Sequence, residues 1–258
     1  MNEFEIKTVQ SDAIKIFFNA MSKICKEGTL KIDKSGIKIL RKEDGVLIWC
    51  KLLSENFESF TVSGVSYINV DFAMLQKITK LIQSNDVLVF KKKEGDDFWS
   101  IQMYDHEKNK NNIFQIKLIE REQDELYIPP AAFEIELCMP SCEFKNILNQ
   151  MKVISPDKIE IKSTPESKLI IKGEGESANS EYILGENPGS LQYNLSNYSE
   201  VSGSFPYEKL LYCIGFTNLC NRIYIYIKND YPLVIKYDIA NLGSLKLVFA
   251  SSLEDDSS

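Results

Sequence analysis

The sequence predicts an α+β fold of two similar halves, each with two helices packed on antiparallel sheets. Three observations support this prediction: four stretches with the periodicity of amphipathic helices, strand-like runs between them, and a proline-containing break near the middle of the chain. The helical stretches begin near residues 11, 71, 141 and 206, so they recur about every 60–70 residues. Each is followed by a run of strands, and this unit of one helix and several strands occurs four times.

Each helical stretch has a residue suited to its start and an apolar stripe at spacings of three and four. Ser11 or Asp12 can cap the first helix, Asp71 the second and Ser141 the third, while Pro206 opens the fourth. The apolar stripes consist of Ile14, Phe17 and Met21; Phe72, Leu75, Ile78 and Ile82; Phe144, Ile147 and Met151; and Leu210 with Cys213.

The segments between the helices are typical of strands joined by tight turns. In KIEIK and KLIIK, Ile159 with Ile161 and Leu169 with Ile171 are expected to face one side of a sheet. The turns KSG, KEGDD, TPES and KNDYP join neighbouring strands as hairpins, so we expect antiparallel sheets. GEGES at Gly173–Ser177 is not followed by a helical pattern, which favours a hairpin turn over a phosphate-binding loop.

Residues 119–133, IEREQDELYIPPAAF, interrupt the repeat with acidic residues and then prolines at 129 and 130. Proline cannot donate a ladder hydrogen bond and favours an extended predecessor. We interpret the segment as an extended connector, with an ordinary surface loop as the alternative. The predicted division is an N-terminal domain at 1–118, a connector at 119–134 and a C-terminal domain at 135–258.

The composition argues against some classes of function. The net charge is −7 and the pI about 5.0, which argues against bulk-charge coating of nucleic acid or of an anionic membrane. This net charge is still compatible with a local basic patch on an acidic body. Since no apolar run approaches the roughly 20 residues of a membrane span and the N-terminus lacks the apolar core of a signal peptide, we expect a soluble intracellular protein with no membrane partner.

Catalysis is not expected. Cys50, Cys138 and Cys213 sit among apolar neighbours, as small buried thiols do, and there is no Cys-x-x-Cys. The single histidine, His106, lies in the polar stretch YDHEKNKNN, which indicates an exposed turn. Without a second histidine or a nucleophile constellation, we expect no catalytic residue, no metal and no cofactor.

The polar faces of the four helices are poorer in acid than the hairpin loops and the tail. This predicts one cationic surface on an acidic body, although any solvated amphipathic helix has a polar face of this kind. The first helix carries Lys15, Asn19 and Lys23 on this face, and the other candidate residues of the surface are Lys77, Lys80, Lys145, Asn146, Asn149, Lys152 and Lys209.

Several motifs along almost the full length match a known family. They are FEIKTVQ at 4–10, SGIKI at 35–39, DFAMLQKITKLIQSND at 71–86, QIKLIE at 115–120, Leu126-x-Ile128-Pro129, MPSCEF at 139–144 and YPLVIKYDIANLGSLKLVFASSLEDD at 231–256. With these motifs the chain resembles the eukaryotic and archaeal sliding clamp family, proliferating cell nuclear antigen. The combination of the final run with the mid-chain connector is the specific part.

The resemblance implies the sliding-clamp fold and a homotrimeric ring threaded by duplex DNA, with helices lining the hole and sheets outside. It implies a processivity factor whose partners are DNA, bound without sequence preference, DNA polymerase, other replication and repair proteins with a clamp-binding motif, and a clamp loader. The implied location is the nucleus, or a viral replication compartment if the chain is viral.

The resemblance also assigns the cationic residues to the bore. Lys77 and Lys80 match basic family positions, and Lys15 matches one after a shift of about two residues. On the third helix the family positions fall on Asn146 and Asn149, with Lys145 and Lys152 nearby. On the fourth they fall near Glu208 and Gly215, with only Lys209 close. The second domain is therefore expected to present a weakly charged bore.

Two further sites follow from the resemblance. A pocket for partner peptides is implied at Leu47, Trp49, Leu126, Ile128, Pro129, Pro232, Val248 and Ala250. The family motif Met-Asp-x-Ser-His is replaced here by RKEDG, and a C-terminal aromatic by Val248; Trp49 either reshapes the pocket or belongs to the core. Subunit contact is implied between Asn112–Leu118 and Asn179–Leu184, with Phe114, Ile116, Tyr182 and Ile183 at the seam.

Alternative functions are compatible with the sequence. The chain is also consistent with one subunit of a heterotrimeric checkpoint-type clamp or a specialised paralogue. From a different class, a non-ring interaction scaffold or transcription cofactor with the clamp fold would explain the weak charge of the second domain. The intact connector and C-terminal strand favour the clamp.

Overall fold

A computed structural model of the chain describes residues 2–83, 86–119, 131–195 and 200–252. The α-helices in this part are α1 (Ser11–Ile24), α2 (Phe72–Thr79), α3 (Ser141–Met151) and α4 (Tyr207–Leu210). The strands are β1 (Asn2–Thr8), β2 (Glu27–Asp33), β3 (Gly36–Glu43), β4 (Val46–Leu53), β5 (Ser59–Val62), β6 (Ser66–Asp71), β7 (Val87–Lys93), β8 (Phe98–Asp105), β9 (Lys110–Lys117), β10 (Ile135–Pro140), β11 (Lys158–Ser163), β12 (Lys168–Glu174), β13 (Asn179–Gly185), β14 (Gln192–Leu195), β15 (Val201–Pro206), β16 (Arg222–Ile227), β17 (Leu233–Ile239) and β18 (Gly243–Phe249). Short 3₁₀ helices occupy Ser54–Asn56 and Leu211–Leu219. None of the helices in the described ranges is long and apolar enough to cross a membrane.

The described residues form two compact units. The first contains those within 1–41, 49–126 and 238–245, and the second those within 42–48, 127–237 and 246–258. Helices α1 and α2 belong to the first unit, and α3 and α4 to the second. Two helices with antiparallel sheets in each unit confirm the predicted α+β class. The predicted boundaries at 118/119 and 134/135 stay a prediction, and connector residues 120–130 lie outside the described residues.

The first unit has a five-stranded antiparallel sheet in the order β5-β1-β7-β8-β9. Strands β6, β2 and β3 form a second antiparallel set, followed by the parts of β4 and β18 in this unit. The aromatic rings of Phe18 on α1 and Phe72 on α2 lie 6.3 Å apart and are buried. Gly28 in β2 makes room for Phe72, because a Cβ atom there would come within 2.7 Å of its ring.

The second unit repeats this plan with a four-stranded antiparallel sheet in the order β13-β12-β11-β15. Strands β14, β10, β16 and β17 form its other antiparallel set, followed by the parts of β18 and β4 in this unit. Ile161 lies opposite Ile171, and both are buried together with Ile159 and Leu169. The predicted shared face of these four residues is confirmed.

The predicted hairpins are confirmed. Antiparallel pairs β2–β3, β7–β8, β11–β12 and β16–β17 flank the turns KSG, KEGDD, TPES and KNDYP, and β12–β13 flanks GEGES. A further two-residue turn, Asp44–Gly45, joins β3 to β4. Both residues have positive φ, +52° and +76°, as a type I′ hairpin turn requires.

The helix caps agree only partly with prediction. Asp71 caps α2 as expected, because its Oδ1 accepts a hydrogen bond of 3.0 Å from the Met74 N–H. The predicted caps Ser11 or Asp12 and Ser141 are wrong, since the N-cap residues are Gln10 and Pro140. Ser141 is the buried first residue of α3, and its hydroxyl donates to the carbonyls of Thr217 (3.0 Å) and Cys220 (2.6 Å). The hydroxyl stabilises a tertiary contact rather than the helix end.

The fourth predicted helix, over 206–216, is also partly wrong. It is α-helical for one turn, Tyr207–Leu210, and continues as the 3₁₀ helix Leu211–Leu219. The buried residues that follow are spaced by three, which is the period of a 3₁₀ helix: Leu210, Cys213, Phe216 and Leu219. Gly215 further weakens the α-helical alternative.

Candidate functional site

Helix α2 presents two cations to solvent. Lys77 lies in its last turn and Lys80 is the C-cap, and both side chains are exposed. Three residues apart, they lie on one helix face, whereas the opposite face buries Phe72, Leu75 and Ile78. The cap position also suits a lysine, since cations stabilise the negative end of the helix dipole.

Lys15 on α1 is half-buried and links the two helices of the first unit. Its Nζ donates a 2.9 Å hydrogen bond to the Ile82 carbonyl, just beyond α2. One turn further along α1, the Asn19 Oδ1 accepts from the Gln76 Nε2 at 3.4 Å. The structure therefore brings Lys15 toward the end of α2. One of the three N–H groups of its ammonium is used in the hydrogen bond that links α1 to this end of α2.

Helix α3 of the second unit carries the next four candidates. Asn146 and Lys152 are exposed, whereas Lys145 and Asn149 are half-buried. Positions 145, 149 and 152 are spaced by four and three, so they share a face as predicted. The buried side of the helix is formed by Phe144, Ile147, Leu148 and Met151.

Lys209 on α4 has a partner that the sequence did not reveal. Its Nζ forms an ion pair and hydrogen bond with Asp44 of the β3–β4 turn, within the same unit. The Tyr212 hydroxyl donates to the same carboxylate at 3.4 Å. The hydrogen bond from Lys209 lowers the pKa of Asp44 and raises that of Lys209. Lys209 therefore carries a charge that Asp44 largely balances.

Lys152 and Lys209 line one open groove of about 790 Å³ in the second unit. Asp157 and Glu208 line the same groove, so its two lysines are matched by two carboxylates. The charge contributed by α4 is accordingly weaker than that contributed by α2.

The candidate partner pocket is described in part. In the second unit, Leu47, Pro232, Val248 and Ala250 are all half-buried, and Trp49, in the first unit, is half-buried as well. Along β4, Leu47 and Trp49 alternate with the buried Ile48 and Cys50, so they face away from the core. Leu126, Ile128 and Pro129 lie outside the described residues.

The candidate seam residues lie on edge strands. β9 is the last strand of the five-stranded sheet and β13 the last of the four-stranded sheet. Phe114, Ile116 and Tyr182 are half-buried, and Ile183 is 59% exposed. An apolar residue on an unpaired strand edge favours pairing with another chain.

The cysteines and the histidine have structural surroundings. Cys50, Cys138 and Cys213 are buried as predicted, and burial raises the pKa of the Cys213 thiol to about 12. His106 is exposed in a turn and packs edge-on against Tyr104, with ring centroids 4.3 Å apart. Among the described residues, no group of three or more His, Cys, Asp or Glu side chains lies close enough to hold a metal ion.

The architecture of two units, each with two helices on antiparallel sheets, is that of the α+β clamps. The family profile "Proliferating cell nuclear antigen, N-terminal domain" matches residues 3–126, and "Proliferating cell nuclear antigen, C-terminal domain" matches residues 127–252. The chain belongs to the proliferating cell nuclear antigen family of sliding clamps. Because the members of this family are non-enzymatic scaffolds, the expectation that the chain is not an enzyme is confirmed.

Named relatives are similar over their whole length. The chain is 26% identical to "Probable DNA polymerase sliding clamp 1" of Paramecium bursaria Chlorella virus 1, covering 97% of each chain. It is 22% identical to "Proliferating cell nuclear antigen 2" of Drosophila melanogaster, over 97% of this chain and 98% of the relative. It is also 22% identical to "Proliferating cell nuclear antigen" of Chaetomium thermophilum, over 98% and 99%. The identities are those of a divergent member.

Proposed function

We propose that the chain is a processivity factor that encircles duplex DNA as a homotrimer and tethers DNA polymerase and other replication and repair proteins. The observation that carries the proposal is the exposed pair Lys77 and Lys80 on a helix of a chain whose net charge is −7. Such a local cationic face on an acidic body suits weak, sequence-independent contact with phosphates. The nucleus, or a viral replication compartment, is the proposed location.

The proposed DNA-contact surface also includes Lys15 and the second-unit residues. Lysine and asparagine side chains both donate to phosphate oxygens without reading sequence. Weak individual contacts are an advantage for a ring, because topology retains the DNA and rapid exchange of phosphates permits sliding. The second-unit residues of this surface are Lys145, Asn146, Asn149, Lys152 and Lys209.

The proposed ring closes by pairing β9 of one chain with β13 of the next. Phe114 and Ile116 on β9 would then meet Tyr182 and Ile183 on β13 across the seam. A heterologous contact of this kind, repeated with threefold rotation, generates a closed ring. We retain the division 1–118, 119–134 and 135–258 as the proposed domain organisation.

Partner proteins are proposed to bind through the apolar positions Leu47, Trp49, Pro232, Val248 and Ala250. The connector residues Leu126, Ile128 and Pro129 complete the proposed site. Burial of about 300–400 Å² of apolar surface at roughly 25 cal/mol per Å² offers up to about 7–10 kcal/mol. Since ordering a short peptide offsets several kcal/mol, micromolar affinity is expected.

The test replaces the two carrying lysines. The double variant Lys77→Glu/Lys80→Glu should abolish stimulation of a DNA polymerase on a primed circular template while leaving the trimer mass unchanged. The matched control is Lys158→Glu/Lys168→Glu, which inverts two exposed lysines of the four-stranded sheet. Equal stimulation by wild type and the Lys77→Glu/Lys80→Glu variant would refute the DNA-contact assignment.

A second candidate is one subunit of a heterotrimeric clamp. The pairing of Lys209 with Asp44 favours it, because a ring of three different chains can draw more of its bore charge from the other two. A non-ring scaffold with the clamp fold would be favoured by the same observation. The mass of the free protein separates both from the homotrimer.

A further inference from the structure

The outward face of the main sheet in the second unit has an unusual composition. Along β16, Ile223, Ile225 and Ile227 are buried, while Tyr224 and Tyr226 point the other way and are half-buried. Tyr224 lies opposite Lys236 of β17, and Tyr226 opposite Val234. Residues opposite each other in an antiparallel pair share a face, so aromatic rings and a cation lie side by side there.

Two lysines meet on this face. The Lys236 Nζ lies 4.8 Å from the centroid of the Tyr224 ring. Lys246 is on the neighbouring strand β18, where burial, and then the charge of Lys236, lower its pKa, while Glu136 acts in the opposite direction. A partly buried ammonium beside a like charge gains from an additional negative partner.

The charges of the surrounding strands favour an acidic ligand. On β10, β16, β17 and β18, the half-buried outward positions carry three cations, Arg222, Lys236 and Lys246, and two carboxylates, Glu136 and Asp238. Glu136 accepts a 3.1 Å hydrogen bond from Asn194, and Arg222 donates to the carbonyls of Cys138 and Ser190. An excess of positive charge stands out on a chain with a net charge of −7.

This cationic face is continuous with apolar positions. Lys246 and Val248 are alternate residues of β18, so their side chains emerge on the same side about 7 Å apart. Pro232 stands just before β17, on which Lys236 lies. Beyond it, the Phe133 ring packs on Tyr226 and Tyr231, with centroids 5.4 and 5.7 Å away.

We propose that the partner-peptide site extends from Val248 and Pro232 over Tyr224, Lys236 and Lys246, and that this extension binds an acidic flank of the client peptide. The proposal rests on the proposed function, in that it needs the apolar positions to hold a peptide. The aspartate or glutamate carboxylates of the flank would lie between the two ammonium groups. The chain would therefore select clients whose apolar anchors are followed or preceded by acidic residues.

Calorimetric titration of the full-length protein with two synthetic peptides tests this. Both carry the same aliphatic and aromatic anchors; one is flanked by three glutamates and the other by three glutamines. At low salt the glutamate peptide should bind about three- to tenfold more tightly, as two partly exposed ion pairs allow. The preference should shrink at about 0.5 M salt because the charges are then screened.

The variant Lys236→Gln/Lys246→Gln should bind the glutamate peptide no more tightly than wild type binds the glutamine peptide. The control Lys158→Gln/Lys168→Gln, with the same change of charge on the other sheet, should keep the preference. Equal affinity of wild type for both peptides, or a preserved preference in Lys236→Gln/Lys246→Gln, overturns the extension. So does a loss of duplex DNA binding, rather than of peptide discrimination, in that variant. Failure of wild type to bind either peptide overturns the apolar site itself, and with it the part of the proposed function in which partner proteins bind there.

Discussion

Asp44 lies in a two-residue turn whose positive φ angles only a few residue types adopt without strain. From this turn its carboxylate forms an ion pair with Lys209. Aspartate and asparagine accept positive φ more readily than most residues do, and glycine at position 45 accepts it without strain. The turn thus places one carboxylate against the single lysine of α4. At the scale of one residue, the charge that α4 offers to a polyanion is set by a strand connection rather than by the helix.

The first prediction is that Asp44→Asn strengthens DNA binding. With its partner neutralised, Lys209 becomes available to one phosphate, so the plot of log K against log salt should steepen by about 0.9. Fluorescence anisotropy of a short duplex at several salt concentrations measures this slope. The matched control is Asp230→Asn, which removes the same charge at another turn position with positive φ, +53°. Identical slopes for both variants would show that the pair does not restrain Lys209.

At the scale of the element, the edge strands β9 and β13 differ from the interior strands. Ile113 is 51% exposed and Ile183 59% exposed, although isoleucine is normally among the most buried residues. Both lie on terminal strands of their sheets, where the backbone N–H and C=O groups on one side pair with no strand among the described residues. These features together support a seam between chains.

The second prediction is that Ile183→Asp converts the assembly to single chains without unfolding them. In the separate chain the side chain is exposed, so the substitution costs little, whereas at the proposed seam it would bury an unpaired carboxylate. We expect the dissociation constant of the assembly to rise by about 100-fold or more. Sedimentation velocity at several protein concentrations measures it. Val153→Asp, at a position 88% exposed, serves as the control, and an unchanged assembly in Ile183→Asp would argue against the seam.

Elements with strong local patterns were predictable. The stripes of α1 and α3, the stripe of α2 as far as Ile78 and the hairpin turns follow from spacing and turn chemistry, and the structure confirms them. Ile82, predicted as the last residue of the α2 stripe, is buried but lies beyond the end of the helix. The 3₁₀ helix Leu211–Leu219 was not predicted, although its buried residues repeat every three positions. Strands β5 and β14 were not singled out because four residues are too few for a clear alternation. Strands β1, β6, β10 and β15 were not singled out either.

The candidate site was predictable in a similar way. Exposure of Lys77 and Lys80 follows from helix periodicity within eight residues. The contact of Lys209 with Asp44 joins positions 165 residues apart, and a single sequence contains no signal for such a pairing. The same applies to Lys15 with Ile82 and to the cluster around Phe133. The Asp44–Gly45 turn could be recognised from the sequence, but the contact of the Asp44 carboxylate with Lys209 could not.

At the scale of the whole molecule, a clamp functions through closure. In the proposed function, the exposed lysines of α2, the largely balanced charge of α4 and the acidic hairpin loops would make contacts too weak to hold DNA by affinity alone. Retention would then come from encirclement by the proposed ring of three copies joined edge to edge. In the proposed function, both DNA retention and the presentation of several partner sites depend on the homotrimer.

Native mass spectrometry of the purified protein at micromolar concentration is the direct test of the homotrimer. We expect one dominant species of about 90 kDa, three times the 29.6 kDa chain. A dominant species of single-chain mass under the same conditions would contradict the homotrimer and favour a subunit of a mixed ring or a non-ring scaffold.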